Sequence, residues 1–259
     1  MLIIMKHLFL AGVLALLTAV EGVAADRDTL FQYSTIPALF AGLYAGEWTC
    51  GEIRQHGDLG LGTFDALDGE MVVLDGRCYR VRSDGRAALV NDAEGAPFAS
   101  VTFFEPDLLV SNLTAGSLTE LLTAVDRQLP SANVFYALRL DGVFDYVKTR
   151  SVPRQTKPYR PLTEIVKTQP TFEWREVRGT LLGFRCPAFA HELNVPGWHL
   201  HFITADRTGG GHVLDLCLTN QLAALDITPA IHVTLSTNAA FFKLDLGGDS
   251  SEAVKRVEK

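Results

Sequence analysis

The stretch Pro196-Gly-Trp-His-Leu-His-Phe-Ile-Thr-Ala-Asp-Arg-Thr-Gly-Gly-Gly-His212 bears on both the architecture and the chemistry of this chain. Its first half reads as a strand from His199 to Thr204. Side chains two apart on a strand share a face and lie about 6.5–7 Å from each other, so His199 and His201 are placed to converge on one cation. The polar turn containing Gly209-Gly210-Gly211 then folds the chain back, and His212 opens the next strand, His212 to Leu218, beside His201. Three neutral imidazoles on two paired strands form a facial set that leaves coordination positions open, as a catalytic metal requires. A histidine on a strand is more often structural or exposed, and an H-x-H pair recurs by chance. The third histidine behind the glycine turn is what makes the set informative. His56, His191 and His232 have no such partners and read as non-ligands.

Outward from this stretch the pattern is dominated by strands. Val177 to Phe184 precedes it, and Ile231 to Ser236 and Phe241 to Leu246 follow; residues 249–259 are polar and read as a tail. Upstream, Ser151 to Pro170 holds Pro153, Pro158, Pro161 and Pro170 and reads as a connector with at most a short helix. Before the connector, Met71–Leu74, Tyr79–Arg82 and Ala87–Val90 are β-prone runs separated by Asp75-Gly76 and Asp84-Gly85, dipeptides that favour tight hairpins. Val101–Phe104 is a further strand candidate. Asn133–Leu140 and Val143–Lys148 read as two strands around a turn at Asp141-Gly142. Two helices are expected. One spans Ser34 to Gly46, with Ile36, Leu39, Phe40 and Leu43 at helical spacing; the other spans Ser117 to Leu129, where Ser117 and Glu120 form a capping box. The fold class is therefore α+β, with two mostly antiparallel or mixed sheets, a few helices, and the histidines on strands of the C-terminal half. The expected division is residues 26–150 as an N-terminal α/β domain and 151–259 as a β-rich metal-binding domain.

Composition narrows the function classes. The 259 residues carry a formal net charge of -7, which argues against nucleic-acid binding. Lys6 and His7, the apolar run Leu8 to Val20, and Val23-Ala24-Ala25 form a signal-peptide pattern over residues 1–25. The expectation is a secreted or periplasmic protein with no membrane association after cleavage. In an oxidising compartment the four cysteines, Cys50, Cys78, Cys186 and Cys217, favour disulfides, with three pairings open and buried free thiols as the alternative.

Gln32-Tyr-Ser-Thr-Ile36, His56-Gly-Asp-Leu-Gly-Leu-Gly-Thr-Phe-Asp-Ala-Leu-Asp-Gly-Glu-Met71, Pro97-Phe98, Thr102-Phe-Phe-Glu-Pro106, and the chain from Arg185 to His199-Leu-His-Phe resemble the α-acetolactate decarboxylase family. The resemblance runs from about residue 30 to the C-terminus. It implies a divalent metal, zinc first among the candidates, held by His199, His201 and His212. It further implies active-site roles for Glu70, Arg150 and Glu258, with Glu252 as the fallback for Glu258, and places Thr63 near the substrate. The implied substrate is acetolactate, which loses carbon dioxide to leave acetoin. The metal would chelate the hydroxyl and ketone oxygens and stabilise an enediolate, Arg150 would hold the carboxylate as a planar fork, and Glu70, Arg150 or Glu258 would deliver the proton. A homodimer is expected. Two other classes stay open: a secreted metallohydrolase using the same histidines with Glu70 as general base, and a binding module whose histidines are structural.

Overall fold

The computed structural model describes residues 27–248 and 251–258. The expected signal segment, 1–25, lies outside them. Among the described residues, fourteen strands and five α-helices follow in chain order. The first part holds β1 (Thr29–Tyr33), α1 (Ile36–Phe40), β2 (Trp48–Thr49), α2 (Cys50–Ile53), β3 (Leu59–Thr63), β4 (Glu70–Leu74), β5 (Arg77–Val81) and β6 (Ala87–Leu89). Next come β7 (Gly95–Ala96), β8 (Phe98–Thr102), β9 (Leu108–Ala115), α3 (Leu118–Asp126) and β10 (Phe135–Arg150). After α4 (Leu162–Ile165) run β11 (Thr171–Cys186), β12 (Gly197–Thr204), β13 (Gly210–Thr228), β14 (Ala230–Thr234) and α5 (Ser251–Glu258).

One sheet has seven strands in the order β14-β1-β8-β3-β4-β5-β6, and a second has five in the order β10-β11-β12-β13-β9. The pairings are antiparallel except β1 with β14, which is parallel. In the second sheet β10 also pairs with β13, so the ladder β10-β11-β12-β13 closes on itself. Short β2 and β7 pair with each other. The α+β architecture with antiparallel and mixed sheets is thus what the strand pattern indicated.

Why the first sheet reads as an unbroken apolar run is visible in β4. Val72 and Leu74 join the core between the sheets, while Met71 and Val73 join a second core under α2. A strand covered on both faces loses the polar alternation of a half-exposed one. In β12 the alternation is chemical instead. Leu200 and Phe202 point into the interior of the closed sheet beside α3, and Ile203 faces the core between the sheets. With a period of two, His199 and His201 share the Ile203 side.

Several expectations need correction. The helix foreseen over Ser34–Gly46 is a short one, α1; Ser34 has φ 65, and Thr35 is the N-cap, its Oγ1 accepting from Ala38 N. Gly42, at φ +92, ends the turn early. The turn at Asp141-Gly142 does not form, because β10 runs straight through it, with Asp141 opposite Thr180 and Gly142 opposite Gly179 on β11. The unbroken ladder with β11 through this point overrides the local turn preference. Phe241–Lys243 is a 3-10 turn rather than part of a strand, and the polar tail is the helix α5. The hairpin turn at Asp75-Gly76 forms as expected, with φ 52 and 69 at its two residues, the left-handed pair a two-residue loop needs. Ser117 caps α3 by accepting from Glu120 N, but the Glu120 carboxylate returns to Gly116 N instead of the cap residue. No helix of the described residues is long and apolar enough to cross a membrane.

Candidate metal centre and active-site cavity

The β12–β13 hairpin places His201 directly opposite His212. His199, two residues earlier on the same face, completes a triangle with ring centroids 4.9 to 5.5 Å apart. One nitrogen from each ring lies within 4.8 Å of the others. All three residues are buried. The return of the chain needs Gly211, whose φ is +131 and where a Cβ would stand 2.4 Å from the Arg150 carbonyl oxygen.

Burial, joined by the Arg150 charge, holds the His199 imidazole down to about 3. His201 and His212 are likewise held well below the ordinary histidine range, by burial first and by neighbouring charge second. All three rings are neutral at physiological pH, the form that ligates metals. His201 shows how one of them is oriented. Its Nδ1 lies 2.8 Å from the Met71 carbonyl, which can only accept, so Nδ1 carries the proton and Nε2 presents its lone pair. Nε2 is buried without a hydrogen-bond partner, 3.6 Å from Glu70 Oε2. With the ring neutral this is a polar contact rather than an ion pair. A divalent cation fits these residues: the donors are buried, neutral and convergent, with a carboxylate beside them.

Glu70 starts β4 and pairs with Thr63 at the end of β3. The turn between them is fixed by polar bonds. Thr63 Oγ1 donates to Gly69 O at 2.7 Å, and buried Asp68 receives Arg80 Nη1 at 3.0 Å. Gly69, at φ +92, sits where a Cβ would be 2.3 Å from the Val81 oxygen. Arg150 ends β10 opposite His212 and is 3% exposed. Its Nη1 donates to Gln169 Oε1 at 2.9 Å and its Nη2 to the Val257 carbonyl at 2.6 Å.

These groups line one cavity of about 40 Å³, shared by Thr63, Glu70, Arg150, His199, His212 and Val257. The rest of its wall is apolar, from Ile36, Leu39 and Phe40 of α1, Leu67, Phe98, Val152 and Leu162. It has room for a few water molecules, the scale of a small molecule. The structure brings together six of the seven residues singled out from sequence: Thr63, Glu70, Arg150, His199, His201 and His212. Glu258 lies in the last turn of α5, one residue beyond Val257, and Glu252 is exposed in its first turn. Sequence reasoning missed Gln169, the Met71 carbonyl, and the apolar wall from α1 and α4. The α1 residues were legible only as a helical stripe, and nothing local tied that stripe to the histidines.

Comparison with known proteins agrees with this geometry. Residues 30–248 match the α-acetolactate decarboxylase family. An α-acetolactate decarboxylase of Methanosarcina mazei is 47% identical over 90% of this chain and 81% of its own length. The Bacillus subtilis enzyme is 42% identical over 88% of this chain and 89% of its own. The crystal structure of the enzyme from B. subtilis strain 168 superposes with a TM-score of 0.86 at 40% identity, covering 89% of this chain and 99% of that one. A Staphylococcus aureus protein of unknown function, described as similar to α-acetolactate decarboxylase, superposes with a TM-score of 0.84 at 29% identity, covering 89% of this chain and all of its own. With sequence and fold both matching over nearly nine-tenths of its length, this chain belongs to the α-acetolactate decarboxylase family.

Proposed function

We propose that this chain converts 2-acetolactate to acetoin and carbon dioxide, using a divalent metal, zinc first among candidates, held by His199, His201 and His212. The observation that carries the reading is the convergence of three buried neutral imidazoles on a small cavity that also holds an arginine and a carboxylate. The shared family supports the substrate.

The chemical problem is the electron pair left on carbon when carbon dioxide departs. The neighbouring ketone can take that pair onto its oxygen. The bound cation supplies Lewis-acid stabilisation for the negative charge developing there. The protein supplies the remainder. Arg150 is fixed by Gln169 and the Val257 carbonyl, while its Nε is buried with no hydrogen-bond partner. Nε and a remaining Nη hydrogen are the fork that would grip the substrate carboxylate. The apolar wall from α1, Phe98, Val152 and Leu162 excludes water, which strengthens these electrostatic contacts and protects the carbanionic carbon from indiscriminate protonation. Glu70, which lines the cavity, Arg150 and Glu258 are the candidates to hold or deliver the proton.

The test is acetoin formation from racemic 2-acetolactate by the purified mature chain, before chelation, after it, and after zinc return. Activity that disappears and returns supports the proposal. No acetoin from folded, zinc-loaded protein, with turnover of an ester or amide panel instead, would favour a hydrolase. We further propose that residues 1–25 direct export and that the mature chain is a homodimer. The signal-peptide pattern supports the first, and N-terminal sequencing of the secreted chain and light scattering test the pair.

A further inference from the structure

Four cysteines allow three pairings, and the fold discriminates among them. Cys50 opens α2 and Cys78 lies in β5; both are buried and both belong to the core beneath the first sheet, with Ile53, Met71 and Val73. One short segment bridges them. Cys50 N donates to Glu94 O at 2.8 Å, and Val90 N donates to Cys78 O at 3.0 Å. The two thiols are hydrogen-bonding neighbours within that core. The remaining cysteines are apart from this pair and from each other. Cys186 ends β11 in the core between the sheets, whereas Cys217 lies half-buried on β13 with its Sγ donating to Gly116 O at 3.0 Å. All four are free thiols in this structure, and only Cys50 and Cys78 are pre-positioned as a pair.

We infer that Cys50 and Cys78 are a modification site: a disulfide that closes when the chain folds in an oxidising compartment, leaving Cys186 and Cys217 as thiols. The oxidant is a disulfide of the exchange type, protein-borne or small-molecule. One cysteine, as thiolate, attacks a sulfur of the oxidant and releases one of its halves as a thiol. The second cysteine then attacks the mixed disulfide, the Cys50–Cys78 S–S bond forms, and the other half leaves as a thiol. Two protons leave the cysteines and the two electrons reside on the reduced oxidant. Of the two, Cys50 is the attacking group: the bond from Cys78 holds its thiol below the ordinary range, while burial and Cys50 itself push the Cys78 thiol up.

The position of the bond gives it a consequence for the site. The loop it closes, residues 50–78, contains β3, the Asp68-Gly69 turn and β4, and therefore both Thr63 and Glu70. A crosslink at its base narrows the unfolded ensemble of the segment that carries one wall of the cavity. The bond is a staple for that wall and takes no part in the reaction.

In the cell this pairing rests on the export proposed above, so the test separates the two. Full-length mature protein is refolded with oxidised and reduced glutathione, and a non-reducing digest is mapped by mass spectrometry alongside protein recovered from the secreted fraction. The expected result in the refolded sample is a Cys50–Cys78 linked peptide with Cys186 and Cys217 alkylated. Reductant should then lower the unfolding temperature of the wild type by several degrees and leave a Cys50→Ala/Cys78→Ala variant unmoved, with turnover at low temperature unchanged. Linked peptide after refolding but free thiols in cell-derived protein would place the fault with export. Free thiols at both positions after refolding, or a different pairing, overturn the inference.

Discussion

At the scale of single residues, the site depends on which atoms are left available after burial. His201 has its tautomer set by the Met71 carbonyl, and Nε2 is thereby presented beside Glu70. Replacing His201 with alanine removes a ligand and the geometric link to β4 together. The expected result is loss of most bound metal and a fall in acetoin formation of about a hundredfold or more, measured by elemental analysis and steady-state kinetics on the same sample. Retention of full metal and full turnover would remove His201 from the ligand set. Arg150 makes a contrasting case. Its guanidinium is held at two nitrogens, by Gln169 and Val257, and an ammonium offers no planar fork. Arg150→Lys should keep normal metal content while kcat/KM falls by roughly one to two orders of magnitude, since a charge-assisted two-point contact is worth about 1.5–3 kcal/mol. Wild-type kinetics in that variant would show that the carboxylate is held elsewhere.

At the scale of elements, α5 is the least secure part of the site. Eight residues are too few for an isolated helix to persist in water. Its anchors are Val254 and Val257 in the core between the sheets and the Arg150 bond to the Val257 carbonyl. With so few anchors against the entropy of ordering eight residues, α5 should open well before the sheets do. Hydrogen exchange should show α5 amides exchanging orders of magnitude faster than those of β10, whose two edges are both paired. Deleting Val257 to Lys259 removes a wall of the cavity and one acceptor of Arg150, and should leave a folded chain with activity lowered about a hundredfold. Glu258→Gln should come close to the same loss and Glu252→Gln should do little. Full activity in both the truncated chain and Glu258→Gln would make α5 dispensable.

At the scale of the whole molecule, the fold carries an internal stress that pH should reveal. Asp226 lies on β13, 1% exposed, with Oδ1 lacking a hydrogen-bond partner. Burial pushes its carboxyl up to about 7, aided by the charges of Asp107, Asp28 and Glu105 and opposed by the bond from Glu105 N. In the unfolded chain the same group titrates near 4. Between those values the folded state holds a proton that the unfolded state has released, so this residue's contribution to stability declines as pH rises from about 4 to 7 and stays unfavourable above. Asp226→Asn keeps an acceptor for Glu105 N and removes the buried charge. Its melting temperature should exceed that of the wild type by a few degrees at pH 8, and the gap should narrow toward pH 5. An equal difference at both pH values would assign the effect to packing.

Much of this was legible in the sequence, and the limit follows the range of the forces involved. The alternation of His199 and His201, the glycine turn, His212 beyond it, and the Asp75-Gly76 hairpin depend on neighbours within a few residues, and local geometry decides them. The charged residues were different: Glu70 and Arg150, which line the cavity, and Glu258, a candidate only, were visible only through likeness to a family, because nothing in their immediate surroundings separates a site residue from a solvated one. Tertiary structure alone decided that the Asp141-Gly142 turn signal is silent, since the continuous β11 partner outweighs a local preference of a few tenths of a kcal/mol. It alone folded the polar tail into a helix over the cavity and put Gln169 and the Val257 carbonyl on Arg150. It also brought Cys50 beside Cys78. Each of these rests on contacts between residues distant in the chain, and their free energy exists only once both sheets have formed and excluded water between them.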